Sequence, residues 1–202
     1  LTGGYILKID KFTGGFEGGW ISPYDNLAGN DLIIQFHRPK NEDLNDPQRE
    51  YMEDYVTDFE NALYGSNFQD SILGYQNFAD VESFIDLYLI NELSKDIDAY
   101  RLSTYFYKDK DSKGGKITIG PWWDYNLTYG NADYCNGHVT TAWNIDEPCA
   151  SDSPFWFERM LEDEHYRNLM KCRWTSIREN EWSTANVNQL IDSVANYIDE
   201  AQ

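Results

Sequence analysis

Residues 81 to 93 constrain the fold more than any other part of this chain. Val81, Phe84, Ile85, Leu87, Tyr88, Leu89, Ile90 and Leu93 leave almost no polar face on a helix opened by Asp80 and Ser83, so that helix belongs in the centre of a packed domain. Polar residues then replace apolar ones abruptly over Asn91-Glu92-Leu93-Ser94-Lys95-Asp96-Ile97-Asp98. The central helix therefore carries carboxylates to the edge of the core. A chain of 202 residues and 23.6 kDa should expose roughly 9,800 Å² of the ~34,000 Å² of its unfolded form, enough burial for one sizeable core.

The neighbouring segments supply the layers around that helix. Gly4 to Asp10 alternates, with Tyr5, Leu7 and Ile9 on one face and Lys8 and Asp10 on the other, as in a half-buried strand. A glycine-rich connection follows from Thr13 to Trp20, and Leu32 to His37 reads as a second strand stopped by Pro39. Asp46 and Pro47 read as the cap and first-turn proline of an amphipathic helix carrying Met52, Tyr55, Val56, Phe59 and Leu63 and ending at Gly65. Thr104 to Lys108 and Lys116 to Gly120 flank a turn and predict a β-hairpin. That turn, Asp109-Lys110-Asp111-Ser112-Lys113-Gly114, has Lys113 where a calcium-loop ligand belongs and Gly120 where its bidentate Glu would be, so it is expected to be a solvated turn. The remainder reads as helices opened by Ser153-Pro154, spanning Leu161 to Arg178, and capped by Ser183.

The charge balance, 16 − 35 = −19, excludes a phosphate-backbone binder, which needs a basic patch. Aromatic residues make up 16%, which distinguishes the chain from a disordered acidic tail. No run reaches the ~18 apolar residues of a membrane helix. Leu1 is not a start methionine and the helical pattern runs on to Gln202 without a stop signal, so a fragment of a longer protein is expected. Cys135 and Cys149 bracket a polar loop; a bridge there would contribute ~3 kcal/mol in an oxidising compartment. Two unpaired loop thiols are the other reading. Cys172 is expected to be a small buried hydrophobe.

The chemistry lies in an arrangement. A buried helix ends in Asp96 and Asp98, a hairpin follows, and Asp124 stands directly after its second strand. A hairpin returns the chain to its starting edge, so Asp98 and Asp124 can approach each other. In-line phosphoryl transfer needs one carboxylate to orient the attacking hydroxyl and another to hold a metal on the phosphates. On an extended segment Asp124 and Asn126 would share a face and offer two oxygens to one ion. Abundant acids flank a hairpin by chance as well, and spacing does not separate these readings.

Tyr88-Leu89-Ile90-Asn91-Glu92-Leu93 through Asp98, the hairpin strand Tyr105-Phe106-Tyr107-Lys108, and Gly120-Pro121-Trp122-Trp123-Asp124-Tyr125-Asn126-Leu127-Thr128-Tyr129-Gly130 resemble the CotH kinase family, named for a spore coat protein. Gly3 to Asp10 and Pro154 to Leu161 resemble it too. The resemblance implies an α+β, atypical protein-kinase-like fold, mainly a helical C-lobe with a β-hairpin and a few N-terminal strands. It divides the single domain, 1–202, into strands and glycine-rich loop (1–40), helices (41–95), catalytic loop, hairpin and metal-binding segment (96–131), a loop insertion (132–152) and C-terminal helices (153–202). It further implies a secreted, cell-surface or periplasmic bacterial protein that binds ATP with Mg or Mn and phosphorylates protein side chains, its partners being a protein substrate or a coat or surface protein. By that resemblance Asp98 is the catalytic-loop carboxylate, Asp124 the principal metal ligand and Asn126 a weaker one.

The sequence departs from the family pattern in places. Asp96 stands where an Asn is usual, and Ser103 replaces a metal-binding Asn. The phosphate-covering loop and nucleotide-anchoring lysine are expected before Gly3, with the N-terminal lobe largely outside the chain. Lys8 is read as a solvent-facing strand lysine. Asn91 and Glu92 are expected to brace the catalytic loop as helix-terminus hydrogen-bonders. Of Trp122 and Trp123, one is expected in the core and the other beside the site. Two other classes remain open: an inactive kinase-like module for surface assembly or adhesion, and a carbohydrate-binding module using exposed aromatic rings.

Overall fold

A computed structural model describes residues 1–12 and 18–200. Among them, a five-stranded antiparallel sheet packs against helices, an α+β arrangement. The strands are β1 (Tyr5–Ile9), β2 (Gly19–Ile21), β3 (Ile33–Arg38), β4 (Thr104–Lys108) and β5 (Ile117–Ile119), in spatial order β2-β3-β1-β4-β5. The helices are α1 (Asp46–Tyr64), α2 (Val81–Ser94), α3 (Trp156–Leu161), α4 (Glu164–Glu179) and α5 (Thr184–Glu200).

Alternation in β1 falls as the sequence predicts: Tyr5, Leu7 and Ile9 are buried and their neighbours are not. Leu7 lies opposite Phe36 in β3 and Phe106 in β4, both buried, so three strands present one apolar face. The three-residue β2 is too short to announce itself by alternation. Gly19 is required in it, because a Cβ there would come within 2.1 Å of the Ile34 carbonyl. The glycine-rich connection expected from Thr13 falls, over 13–17, outside the described residues.

Trp156 of α3 joins the layers: its ring meets Phe106 of β4 at 5.5 Å and Phe59 of α1 at 5.3 Å. Phe84 of α2 contacts Phe59 and Phe157, and Phe157 meets Tyr100 at 4.7 Å, just beyond α2. This aromatic column fixes the end of α2 relative to the sheet. The cap of α1 is Asn45, one residue earlier than expected, because Asn45 and Gln48 form a reciprocal capping box. A 3-10 turn over Pro148–Asp152 precedes Ser153-Pro154, and the α-helix expected from there begins at Trp156 and breaks after Leu161. Asp163 then caps α4 through the His165 amide and accepts the Tyr75 hydroxyl. Cys172 is exposed, correcting the expectation of burial: the inward face of α4 carries Tyr166, Met170, Trp174 and Ile177, and Cys172 falls opposite it. Helix α5, capped by Ser183, leaves Leu190, Ile191, Val194, Tyr197 and Ile198 exposed. The accessible surface, 11467 Å², accordingly exceeds the roughly 9,800 Å² of a compact chain of this mass.

Candidate functional site

Two segments meet at the C-terminal end of α2. The first begins at Lys95, whose left-handed backbone (φ 53°) ends the helix and turns the chain inward. Asp96 is thereby buried, at 5% exposure, and its Oδ1 accepts the Asp98 amide at 3.2 Å. The Asp96 carbonyl accepts the Ala99 amide, and the Asp98 carbonyl accepts those of Arg101 and Leu102. The Asp98 carboxylate pairs with the Arg101 guanidinium at 2.6 Å.

The second segment leaves β5 and turns at Asp124. Asp124 is left-handed (φ 68°) and Tyr125–Leu127 form a 3-10 turn. The extended arrangement expected for Asp124 and Asn126 is therefore corrected. The two still touch: with the Asn126 amide oriented to satisfy its neighbours, its nitrogen donates to Asp124 Oδ1 at 2.9 Å and to the Asp124 carbonyl at 3.1 Å. The Tyr125 hydroxyl donates to Asn91 Oδ1 at 2.6 Å, and the Tyr129 amide to the Ser94 carbonyl at 2.7 Å. Both contacts hold the turn against the end of α2.

Electrostatics show which carboxylates face one another. Asp96 is pushed up to about 6, first by burial and then by the Asp98 and Asp124 carboxylates, against the Asp98 amide and Arg101. The Tyr105 hydroxyl is pushed up by burial and by Asp10 and Asp124. Asp124 thus acts on both Asp96 and Tyr105, which with Asn91, Ser103, Trp123 and Tyr125 line one small crevice. Asp96, assigned only a supporting place by sequence, lies within reach of the charges of both Asp98 and Asp124.

Three functional neighbours escape a reading by motif. Asp10, at the end of β1, accepts the Ser103 amide at 3.3 Å, and Ser103 is itself left-handed (φ 48°). Lys8 reaches Asp10 at 3.4 Å with its side chain only 15% exposed, which corrects the expectation of a solvent-facing lysine. Lys8 lies opposite Tyr105 in the β1–β4 register, so it stands on the site's side of the sheet. The period-2 pattern that sets Lys8 and Asp10 together was the available signal. Arg101 is the third, and nothing but proximity to Asp98 marks it.

Neither tryptophan enters the core: Trp122 and Trp123 are 48% and 61% exposed. The chain has left the sheet after Ile119, so there is no strand alternation to divide them. Asn91 and Glu92 are hydrogen-bonders, as expected. Glu92 accepts the Tyr100 hydroxyl and the Asn144 and Ile145 amides, and burial pushes its carboxyl up against those bonds. Cys135 and Cys149 are joined, their Cα atoms 5.7 Å apart.

No three His, Cys, Asp or Glu side chains among the described residues converge as a metal cage. A phosphate-bound magnesium-type ion does not need one, since it takes one or two protein oxygens and fills its shell with phosphate and water. Asp124, exposed, with the Asn126 amide beside it, suits such a partial shell, and a cation there would relieve the repulsion among Asp96, Asp98 and Asp124.

No helix of the described residues is long and apolar enough to cross a membrane. No curated protein and no solved structure matches the chain. The family described as CotH kinase protein matches residues 3–201; with nearly every residue inside that match, the chain belongs to the CotH kinase family.

Proposed function

We propose that this chain is the kinase-like phosphotransferase domain of a secreted or surface protein, using ATP with Mg or Mn to phosphorylate protein side chains. The observation that carries the reading is the meeting of the Asp96–Asp98 loop and the Asp124 turn at one end of α2, with the Asp124 charge acting on Asp96. Membership of the CotH kinase family supports it.

In this reading Asp124 and the Asn126 amide oxygen, once the amide turns to bring its oxygen in place of its nitrogen beside Asp124, hold the cation, and Ser103, on the lining of the neighbouring crevice, is a weak further ligand. The cation neutralises charge on the transferred phosphoryl group. Asp98, released from Arg101 or sharing it, orients the Ser or Thr hydroxyl and receives its proton. Asp96, buried beneath, fixes the loop by accepting the Asp98 amide. Lys8, on the site's side of the sheet, offers a phosphate a point charge from the strand side. The test is calorimetric titration of ATP with and without Mg²⁺ or Mn²⁺, beside an Asp124→Ala variant. Metal-dependent binding that the variant loses supports the assignment, and equal affinity in both overturns it.

One feature favours an inactive assembly module: the Asp98 carboxylate is engaged by Arg101, so the base is not free. Absence of ATP binding at millimolar concentration selects that reading. The exposed Trp122 and Trp123 are the surface a carbohydrate-binding module would use, and polysaccharide binding lost on Trp123→Ala selects that one.

A further inference from the structure

The insertion closed by Cys135–Cys149 is more than a surface loop. Within a sequence separation of 14 residues it sends five groups to the end of α2. Glu147 Oε1 accepts Lys95 Nζ at 2.7 Å, with both side chains about one-tenth exposed or less. Asn144 Nδ2 donates to the Asp96 carbonyl. The Asn144 and Ile145 amides donate to the Glu92 carboxylate. Asn136 Nδ2 donates to Glu147 Oε2 at 2.7 Å, tying the two ends of the insertion together, and the Ala142 carbonyl accepts Lys95 Nζ at 3.1 Å.

These contacts converge where the local chain needs help. Lys95 sits in the left-handed region, a conformation a lysine adopts at a cost unless its surroundings hold it. Its backbone conformation sets the direction in which Asp96 and Asp98 leave the helix. The Asp124 turn has separate anchors, Tyr125 to Asn91 and Tyr129 to Ser94. The two halves of the site are therefore held by different devices.

Resting on the phosphotransferase reading for its catalytic part, we infer that Lys95 and Glu147 are positioning residues: their ion pair, kept in register by the Cys135–Cys149 bridge, holds the Asp96–Asp98 loop in its working geometry. Opening the bridge loosens that loop and leaves the metal-holding turn in place. Reduction by a dithiol supplies the two electrons and two protons, converting the bridge to two thiols and the reagent to its cyclic disulfide.

The test compares the oxidised chain, the dithiol-reduced chain, a Cys135→Ser/Cys149→Ser variant and Glu147→Gln, which keeps the size of the side chain and removes its charge. Amide hydrogen exchange is followed by NMR at Ala99, Arg101 and Leu102, with Leu7 and Phe106 in the sheet reporting that the fold persists. The expected result is exchange at least ten-fold faster at the three loop amides in all three perturbed forms, with the sheet amides unchanged. In steady-state phosphotransfer to a protein acceptor such as casein, kcat is expected to fall at least ten-fold while KM for metal–ATP stays within two-fold. Unchanged loop exchange in Glu147→Gln and in the reduced chain overturns the inference, as does a parallel loss of kcat and metal–ATP affinity. A wild-type chain with no phosphotransfer removes the functional reading alone, because the exchange comparison decides the brace without it.

Discussion

Glu60 provides a stability test whose size follows from its surroundings. It lies on α1 with no exposed surface, its Oε2 accepting the Ser22 hydroxyl at 2.7 Å and its Oε1 the Trp156 indole N–H at 2.9 Å. Burial outweighs both donors and pushes its carboxyl from 4.5 to about 7. The folded state therefore holds this proton more tightly than the unfolded chain does. Below about pH 4.5 both states are protonated and the group is neutral in its effect. Between about 4.5 and 7 the unfolded chain ionises first and stability falls as pH rises; above 7 the loss is complete. The rise from 4.5 to about 7, at about 1.4 kcal/mol for each ten-fold change in proton affinity, amounts to about 3 kcal/mol. Glu60→Gln reproduces the protonated acid: its oxygen accepts from Trp156 and its amide donates to the Ser22 hydroxyl, so the group no longer titrates. Guanidinium unfolding followed by tryptophan fluorescence should find variant and wild type equal at pH 4.5 and the variant about 3 kcal/mol more stable at pH 8. The pH dependence contributed by the other acids cancels in the difference. A stability difference constant across pH would refute the reasoning, since it would mean that the two donors already compensate the buried charge.

Other expectations concern the site and its rim. Asp96, pushed up to about 6, should lower metal–ATP affinity by up to about ten-fold per pH unit below 6, because its protonation removes negative charge beside the cation; calorimetry at pH 5 and 7.5 checks this, and Asp96→Asn should flatten the dependence. Lys8→Met should weaken ATP binding about ten-fold and leave unfolding within about 0.5 kcal/mol of wild type, measured by calorimetry and denaturant melts on one preparation. Trp123→Ala should likewise leave stability within about 0.5 kcal/mol, as the ring is mostly exposed, so any loss of ligand affinity in that variant reports direct stacking. Lys108→Met should cost about 2 kcal/mol in the same melts, because the buried ammonium lies 4.5 Å from the Tyr55 ring centroid and donates to the Thr2 carbonyl and Asp111.

What could be read from sequence was what depends on period and burial: the alternating β1, the all-round apolar α2, the hairpin that returns Asp124 to the end of α2, and a polar loop between two cysteines. What escaped depends on single backbone choices. Whether Asp96 or Asp98 faces inward is decided by the left-handed Lys95, and no propensity assigns that conformation to a lysine in advance. The conformation is in turn held by Glu147, 52 residues later, and by backbone amides that have no sequence signature at all. Trp122 and Trp123 escaped because alternation applies only while a strand lasts, and β5 ends at Ile119. The same logic separates the carboxylates by role. Asp124 occupies an exposed turn, where a cation can come and go; Asp96 is buried and fixed by its neighbours; Asp98 is paired with Arg101, whose own amide and that of Leu102 are held by the Asp98 carbonyl. Of the three, only Asp98 must give up a charged partner for the site to act as a phosphotransferase. Arg101→Ala is therefore the variant that separates the readings within one assay: it should raise turnover if the pair restrains a working base, and a chain that binds metal–ATP yet stays silent after this change has kept the nucleotide site without the chemistry.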